Sequence, residues 1–227
     1  MDDVCVSVIV PAHNAAPYIA DAIDSIQAQH HGNLDIVVVD DGSTDATAEI
    51  AAVDGVRLRR QTQRGAGAAR NAGLALARGE FIAFLDADDL WTAGRLGVQL
   101  AAAAGQPDVD LVFGRVEQFI SPEIDAAEAG IHCPTGSVPA YLAGSLLARA
   151  SAFRRVGDFR EDLQVGEFLD WCARAEELGL RSHMLDETVL RRRIHSTNLG
   201  LTRRAAAGDY AVVLKAALDR RRGLTGR

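Results

Sequence analysis

Cysteine is scarce: Cys5, Cys133 and Cys172 are three in 227 residues, odd in number and without close spacing. They exclude a disulfide framework and point to a reducing compartment. Long apolar runs are missing as well. None reaches the roughly 18 residues of a membrane span, and the stretch 4–10, cut off by Pro11, is too short for the apolar region of a secretory signal. A cytoplasmic location is therefore expected. The chain also lacks an excess of positive charge. Its formal net charge is −7, from 24 basic and 31 acidic residues, which argues against a nucleic-acid partner. There is no Walker lysine, and no G-x-G-x-x-G follows the first apolar run, so two common phosphate-binding fingerprints are excluded. His132-Cys133 has no second pair at zinc-ligand spacing, which speaks against a structural zinc.

What remains is the composition of a globular α/β domain, 48% hydrophobic and 24% charged. Residues 4–10 and Asp35 to Asp40 are unalternating apolar runs that predict strands buried on both faces. Between them Ile19, Ala22, Ile23 and Ile26 recur at helical spacing after Pro17. A third strand is expected at 56–58. The Gly65-Ala66-Gly67 turn then opens an Ala-rich helix, and Phe81 to Leu85 forms a fourth strand. Ser43 or Thr44 is expected to cap the helix after the second strand. This β-α-β-α-β-α-β rhythm over the first 86 residues predicts a parallel sheet. Beyond Trp91 the rhythm changes. Helices are expected at 96–104, 150–156 and 167–178, and short strands at 109–113, 116–120, 145–147, 182–185 and 189–194. Residues 121–139 read as a long loop, and 209–222 as a terminal amphipathic helix.

Two of the strands end in carboxylates, Asp40-Asp41 and Asp86-Ala87-Asp88-Asp89. Ligands of open α/β sheets bind beyond the carboxyl ends of the strands, so both sets are candidates for one crevice. Asp86 and Asp88, one residue apart, can face a hard divalent cation, for which carboxylate oxygens are suited. Asp40 or Asp41 can accept hydrogen bonds from a base or ribose, although a tight turn with a helix cap explains Asp40-Asp41-Gly42-Ser43 equally well. The Gly65 turn resembles anion-binding helix starts, and Arg70, one turn in, suits bidentate diphosphate contact or simple exposure on a helix. Arg191-Arg192-Arg193-Ile194-His195 sets three arginines beside a potential metal ligand.

Five stretches, 6–26, 37–47, 65–91, 145–180 and more loosely 191–198, agree in order and spacing with one family. In them the chain resembles glycosyltransferase family 2. The resemblance implies an α/β, Rossmann-like GT-A fold, with a mainly parallel central sheet flanked by helices and a short C-terminal helical extension. It implies an inverting glycosyltransferase that uses a nucleoside diphosphate sugar, an acceptor hydroxyl and Mg²⁺ or Mn²⁺. By position, Pro11, His13, Asn14, Asp40, Asp41, Gly65, Arg70 and Asp86 would hold the nucleotide. Asp86 and Asp88 would be the D-x-D motif, with Asp88 the direct metal ligand. His195 would lie near the metal and, with Arg193, near the diphosphate. The catalytic base is left open. Many relatives carry an adjacent Glu-Asp pair, and here Glu167 is followed by Phe168 in the aspartate's place. Glu167 and Asp170 share a helical face. Asp170 is preferred, because its side chain is shorter and Trp171 beside it could form an acceptor wall.

The expected organisation is a catalytic unit over 1–202, with a nucleotide-sugar half at 1–90 and an acceptor half at 91–202, followed by a basic helix at 203–227. That tail carries seven Arg or Lys against Asp209 and Asp219, a net of +5 that leaves −12 to the rest. It is a candidate surface for a homodimer or for peripheral membrane contact. Two rival readings remain open from the sequence: a nucleotide-sugar-binding protein without turnover, and a sugar nucleotidyltransferase.

Overall fold

The computed structural model describes residues 4–124, 133–195 and 207–225 of the chain. Strands β1 (Val6–Ala12), β2 (Leu34–Asp41), β3 (Val56–Gln61) and β4 (Phe81–Phe84) form the parallel half, in the order β3-β2-β1-β4. Helices α1 (Ile19–Gln27), α2 (Thr47–Ala51) and α3 (Ala66–Leu76) connect them. The sheet continues from β4 through β8 (Leu147–Arg149), β6 (Leu111–Ile120) and β9 (Ser182–Ile194) to β5 (Leu90–Trp91). Here antiparallel pairs (β4 with β8, β6 with β8, β5 with β9) alternate with the parallel pair of β6 and β9. Helices α4 (Arg95–Gly105), α5 (Ala150–Val156), α6 (Glu167–Glu177) and α7 (Ala207–Thr225) complete the described elements, together with a 3₁₀ turn at Ala143–Ser145. The architecture is thus the expected α/β sheet with flanking helices, and antiparallel pairing enters only in its second half.

The unalternating strands are explained by two apolar layers. Successive side chains of a strand face opposite sides. Val6, Val8 and Val10 of β1 join α1 residues Ile19, Ile23 and Ile26, whereas Ile9 joins Phe84, Phe113, Phe153, Phe168 and Trp171 on the other face. A strand covered on both sides has no position at which a polar residue is free of cost.

Several boundaries differ from the sequence expectation. Pro11 does not close β1, which runs on to Ala12 beside Asp40. The pairing with β4 stops at Ile9, so at Pro11 the strand has a neighbour on one side only, where a missing N–H is tolerated. Neither Ser43 nor Thr44 caps α2. The N-cap residue is Ala46, with no side-chain cap; Asp45 Oδ1, one residue earlier, accepts from the Thr47 amide at 3.0 Å, while Ser43 Oγ accepts from the Asn14 amide. The two strands expected at 109–113 and 116–120 are one, β6, with a register irregularity between Phe113 and Val116. The pair at 182–185 and 189–194 is likewise the single strand β9. The stretch read as a loop contains β7 (Ser137–Pro139), paired with β6, and its residues 125–132, including His132, lie outside the described residues.

Candidate active site

The strand register brings the predicted carboxylates to one edge. Ala12 lies beside Asp40, and Asp40 beside Arg60, while Ile9 lies level with Phe84, two residues before Asp86. The edge is therefore lined in space by the ends of β3, β2, β1 and β4. The Asp40 side chain is fully buried and accepts from Arg60 Nε at 3.1 Å and from the Ser43 amide at 3.0 Å. Asp41 accepts from Gln61 Nε2 at 2.8 Å, the Arg64 amide at 2.8 Å and the Gly65 amide at 2.7 Å. These two aspartates shape the crevice wall, and Asp41 pins the Gly65 turn. His13 and Asn14 stand exposed at its mouth. His13 Nδ1 lies 2.9 Å from the Asp41 carbonyl and must carry the proton there, which leaves Nε2 to accept from Gln63 at 3.1 Å.

Deeper in, Arg70 joins two elements. Its guanidinium donates to Glu167 Oε1 at the start of α6 and to Asp86 Oδ1 at 2.7 Å beyond β4. Arg70 is 4% exposed. Burial alone would lower its pKa, but the Asp86 and Glu167 charges raise it beyond its ordinary value, so the cation is secure. Beside this chain, Asp88 Oδ2 lies 2.8 Å from His195 Nε2, which joins the D-x-D segment to the end of β9.

The pair is braced from behind. Burial first, then the Asp88 and Asp86 charges, hold the Asp89 carboxyl well above the usual carboxylate range. Its Oδ1 accepts from the Arg193 amide at 2.9 Å. Arg193, expected at the diphosphate, is buried against the Asp88 backbone. It donates to the Asp88 carbonyl at 3.0 Å and to Asp21 at 2.9 Å, and it stacks over Tyr18 and Phe119. The Tyr18 ring lies 4.5 Å from His195, and its hydroxyl donates to Glu123 at 2.5 Å. Burial and that carboxylate push the Tyr18 hydroxyl up to about 12. Bonds from Ser121 and Tyr18 draw Glu123 down to about 2.

The two candidate bases part company. Glu167 converges with Arg70 and Asp86 on the strand-end crevice. Asp170, preferred from the sequence, lies nearly one turn further along α6 and is fully buried. Its Oδ2 accepts from Arg174 Nε at 2.8 Å, and its Oδ1 lies 3.5 Å from Arg220 of α7. A carboxylate held between two arginines inside a helix–helix contact has its oxygens engaged within the protein. Trp171, expected as an acceptor wall, is fully buried and stacks on Phe153.

Sequence reasoning did not assign Tyr18, Asn71, Asp89 or Glu123 a role. Asp89 is the one with a local signal, a third acid directly after the D-x-D spacing. Among the described residues no group of three His, Cys, Asp or Glu is arranged to hold a metal, and no helix is long and apolar enough to cross a membrane.

Comparison with known proteins identifies the family and the fold. Residues 7–147 match the model of glycosyl transferase family 2. The chain is similar to the Escherichia coli UDP-Glc:alpha-D-GlcNAc-diphosphoundecaprenol beta-1,3-glucosyltransferase WfgD, at 36% identity over 136 residues (54% of this chain, 53% of that one). It is similar to the Rhizobium meliloti succinoglycan biosynthesis protein ExoO at 38% identity over 157 residues (64% of this chain, 44% of that one). The matched region thus spans about half or less of these relatives. Among solved structures, S. aureus TarS in complex with UDP-GlcNAc superposes with a TM-score of 0.75 at 21% identity, covering 94% of this chain and 65% of that one. The Pyrobaculum calidifontis mannosyltransferase PcManGT, in complex with GDP-Man and Mn²⁺, gives 0.64 at 26% identity, covering 85% and 58%. With the GT-A architecture shared and well over half of its length matched by the family model, the chain belongs to glycosyltransferase family 2.

Proposed function

We propose that the chain transfers a sugar from a nucleoside diphosphate sugar to an acceptor hydroxyl with inversion at the anomeric carbon. Residues 1–90 form the nucleotide side and 91–202 the acceptor side. The observation that carries this reading is the meeting of Glu167, Arg70 and Asp86 with the Asp88–His195 pair at one strand-end crevice. His13, Asn14 and the Gly65 turn, exposed or at the strand ends, would take the nucleoside, and TarS and PcManGT, which share the fold, are named in complex with UDP-GlcNAc and with GDP-Man.

The donor set fits Mg²⁺ or Mn²⁺. One carboxylate and one imidazole are too few for a closed protein cage, but such ions are commonly bound by one or two carboxylates with substrate phosphates and water. Asp88 and His195 would hold the ion, with Asp86 beside them, and when bound it would neutralise charge on the leaving diphosphate. The remaining work falls to the chain's own side chains. Glu167 takes the proton of the acceptor hydroxyl as that oxygen attacks the anomeric carbon. Arg70 holds the Glu167 carboxylate in place, and Tyr18 and Arg193 hold His195 and the Asp88 backbone.

Calorimetric titration with UDP-glucose, UDP-N-acetylglucosamine and GDP-mannose, with and without Mn²⁺, tests the site. One of these donors is expected to bind in a metal-dependent way, and Asp88→Ala is expected to abolish that dependence. Unchanged metal-dependent affinity in the variant would contradict the assignment.

A further inference from the structure

The segment 157–166 leads from α5 to Glu167, and both of its ends are fastened. On the near side α3 holds it. The Asn71 side chain donates to the Phe159 carbonyl and accepts from the Phe159 amide, both at 2.9 Å. Gly67 lets the backbones touch, since a Cβ there would stand 2.6 Å from the Arg160 carbonyl oxygen. On the far side the fastening comes from α7, about 45 residues on in the chain. Asp209 Oδ2 accepts from the amides of Gln164 at 2.8 Å and Val165 at 3.2 Å. Gly166, the residue before α6, has φ +85°, a conformation that side chains other than glycine rarely adopt. The ring of Tyr210 and the methyls of Val213 lie at van der Waals distance from where its Cβ would be. Further along, Arg220 bonds Glu177 at 2.6 Å near the last turn of α6.

A charged acceptor on two consecutive amides is a strong local constraint, because charge-assisted hydrogen bonds are roughly twice as strong as neutral ones. The two amides lie two and three residues before Glu167, and a displacement there moves the carboxylate directly. The Arg70 guanidinium fixes only the tip of that side chain and cannot set where its Cα lies.

We propose that Asp209 is a positioning residue for Glu167: through the Gln164 and Val165 amides it fixes the start of α6, and it makes α7 part of the active site. The inference rests on Glu167 being the base. Losing the clamp leaves the donor site untouched and lowers only the step in which the carboxylate must sit within hydrogen-bond reach of the acceptor oxygen.

The test compares Asp209→Ala and Asp209→Asn with the unaltered chain in two arms. Hydrogen exchange on the free protein is expected to accelerate in Asp209→Ala at Gln164 and Val165, with α3 and β1 unchanged. In Asp209→Asn, whose amide oxygen still accepts, exchange is expected to return most of the way. The second arm follows release of UDP or GDP from whichever of UDP-glucose, UDP-N-acetylglucosamine and GDP-mannose the chain uses. Asp209→Ala is expected to lose at least fivefold in kcat, with KM and the affinity for UDP in Mn²⁺ unchanged, and Asp209→Asn to recover most of it. Unchanged exchange at Gln164 and Val165, or faster exchange with unchanged kcat, would overturn the proposal. So would a loss of UDP affinity equal to the loss of kcat. If Glu167→Gln turns over normally, it is the base assignment that has failed, and this is visible whatever Asp209→Ala does.

Discussion

Removing Arg70 tests whether the crevice is held by the charge chain it bridges. In Arg70→Met the aliphatic bulk stays and the cation goes. Glu167 and Asp86 then lose the same partner, but their surroundings differ: the Glu167 side chain is 10% exposed and that of Asp86 is 43% exposed. For the buried acid, breaking the pair leaves an uncompensated charge, at a cost of about 3–5 kcal/mol. For the half-exposed one, water takes over, and the loss is at most about 1 kcal/mol. In a domain of this size each kcal/mol moves Tm by about 2–4 °C, so a fall of roughly 6–24 °C is expected. The assay is thermal unfolding of Arg70→Met, Glu167→Gln and the double variant. Glu167→Gln removes the charge that Arg70 neutralises, so the double variant should be more stable than the sum of the single losses implies. A Tm within 2 °C of the unaltered protein for Arg70→Met, or simple additivity in the cycle, would refute the argument.

Two further outcomes follow from other parts of the molecule. Burial pushes the Asp35 carboxyl up, but the Ser7 hydroxyl, Arg57 and the Arg78 amide more than offset this and hold it below its ordinary value of 3.8. A depressed folded pKa adds stability that is present above the unfolded value and is lost as pH falls through the folded one. The urea midpoint should therefore drop on acidification below about pH 4, and less steeply in Asp35→Asn; equal slopes would exclude Asp35 as a cause. The second outcome concerns α7, which leaves Tyr210, Leu214 and Leu218 exposed beside Leu169 of α6, at the rim of a cavity of about 360 Å³. Replacing Leu214 and Leu218 by serine should abolish self-association measured by mass in solution or binding to anionic vesicles, and a monomer that ignores vesicles before and after would remove any association role.

The first half of the fold was legible because it is written in short-range signals. Runs such as Val37-Val38-Val39 and Phe81 to Phe84 tolerate no polar residue when both faces are covered, and acids placed directly after them can only fall at the sheet edge. What escaped are the contacts that bring distant residues together. Glu167 and Asp170 are equivalent by helical spacing, and their partners differ because Arg70 lies 97 residues before one and Arg220 lies 50 residues after the other. No periodicity encodes that. Neither Ser43 nor Thr44 caps α2 for a related reason: Asn14, a neighbour in space, donates its amide to the serine hydroxyl and accepts from Thr44. The arginine triplet 191–193 likewise carries no sign of which member turns inward. The register of β9 against β6 makes that choice, setting Arg193 beside Phe119 and under Tyr18.

The central claim is that Glu167, rather than Asp170, removes the acceptor proton, and the most direct measurement is the transfer rate of Glu167→Gln against Asp170→Asn, with donor affinity in Mn²⁺ recorded for both. Loss of a general base typically lowers the rate by about 10²–10⁴-fold. Glu167→Gln is expected to fall by that amount with donor binding retained. Asp170→Asn is expected to lose stability through its contacts with Arg174 and Arg220 and to keep transfer within a few fold. Retained transfer in Glu167→Gln, together with its loss in a folded Asp170→Asn that still binds donor, would contradict the account.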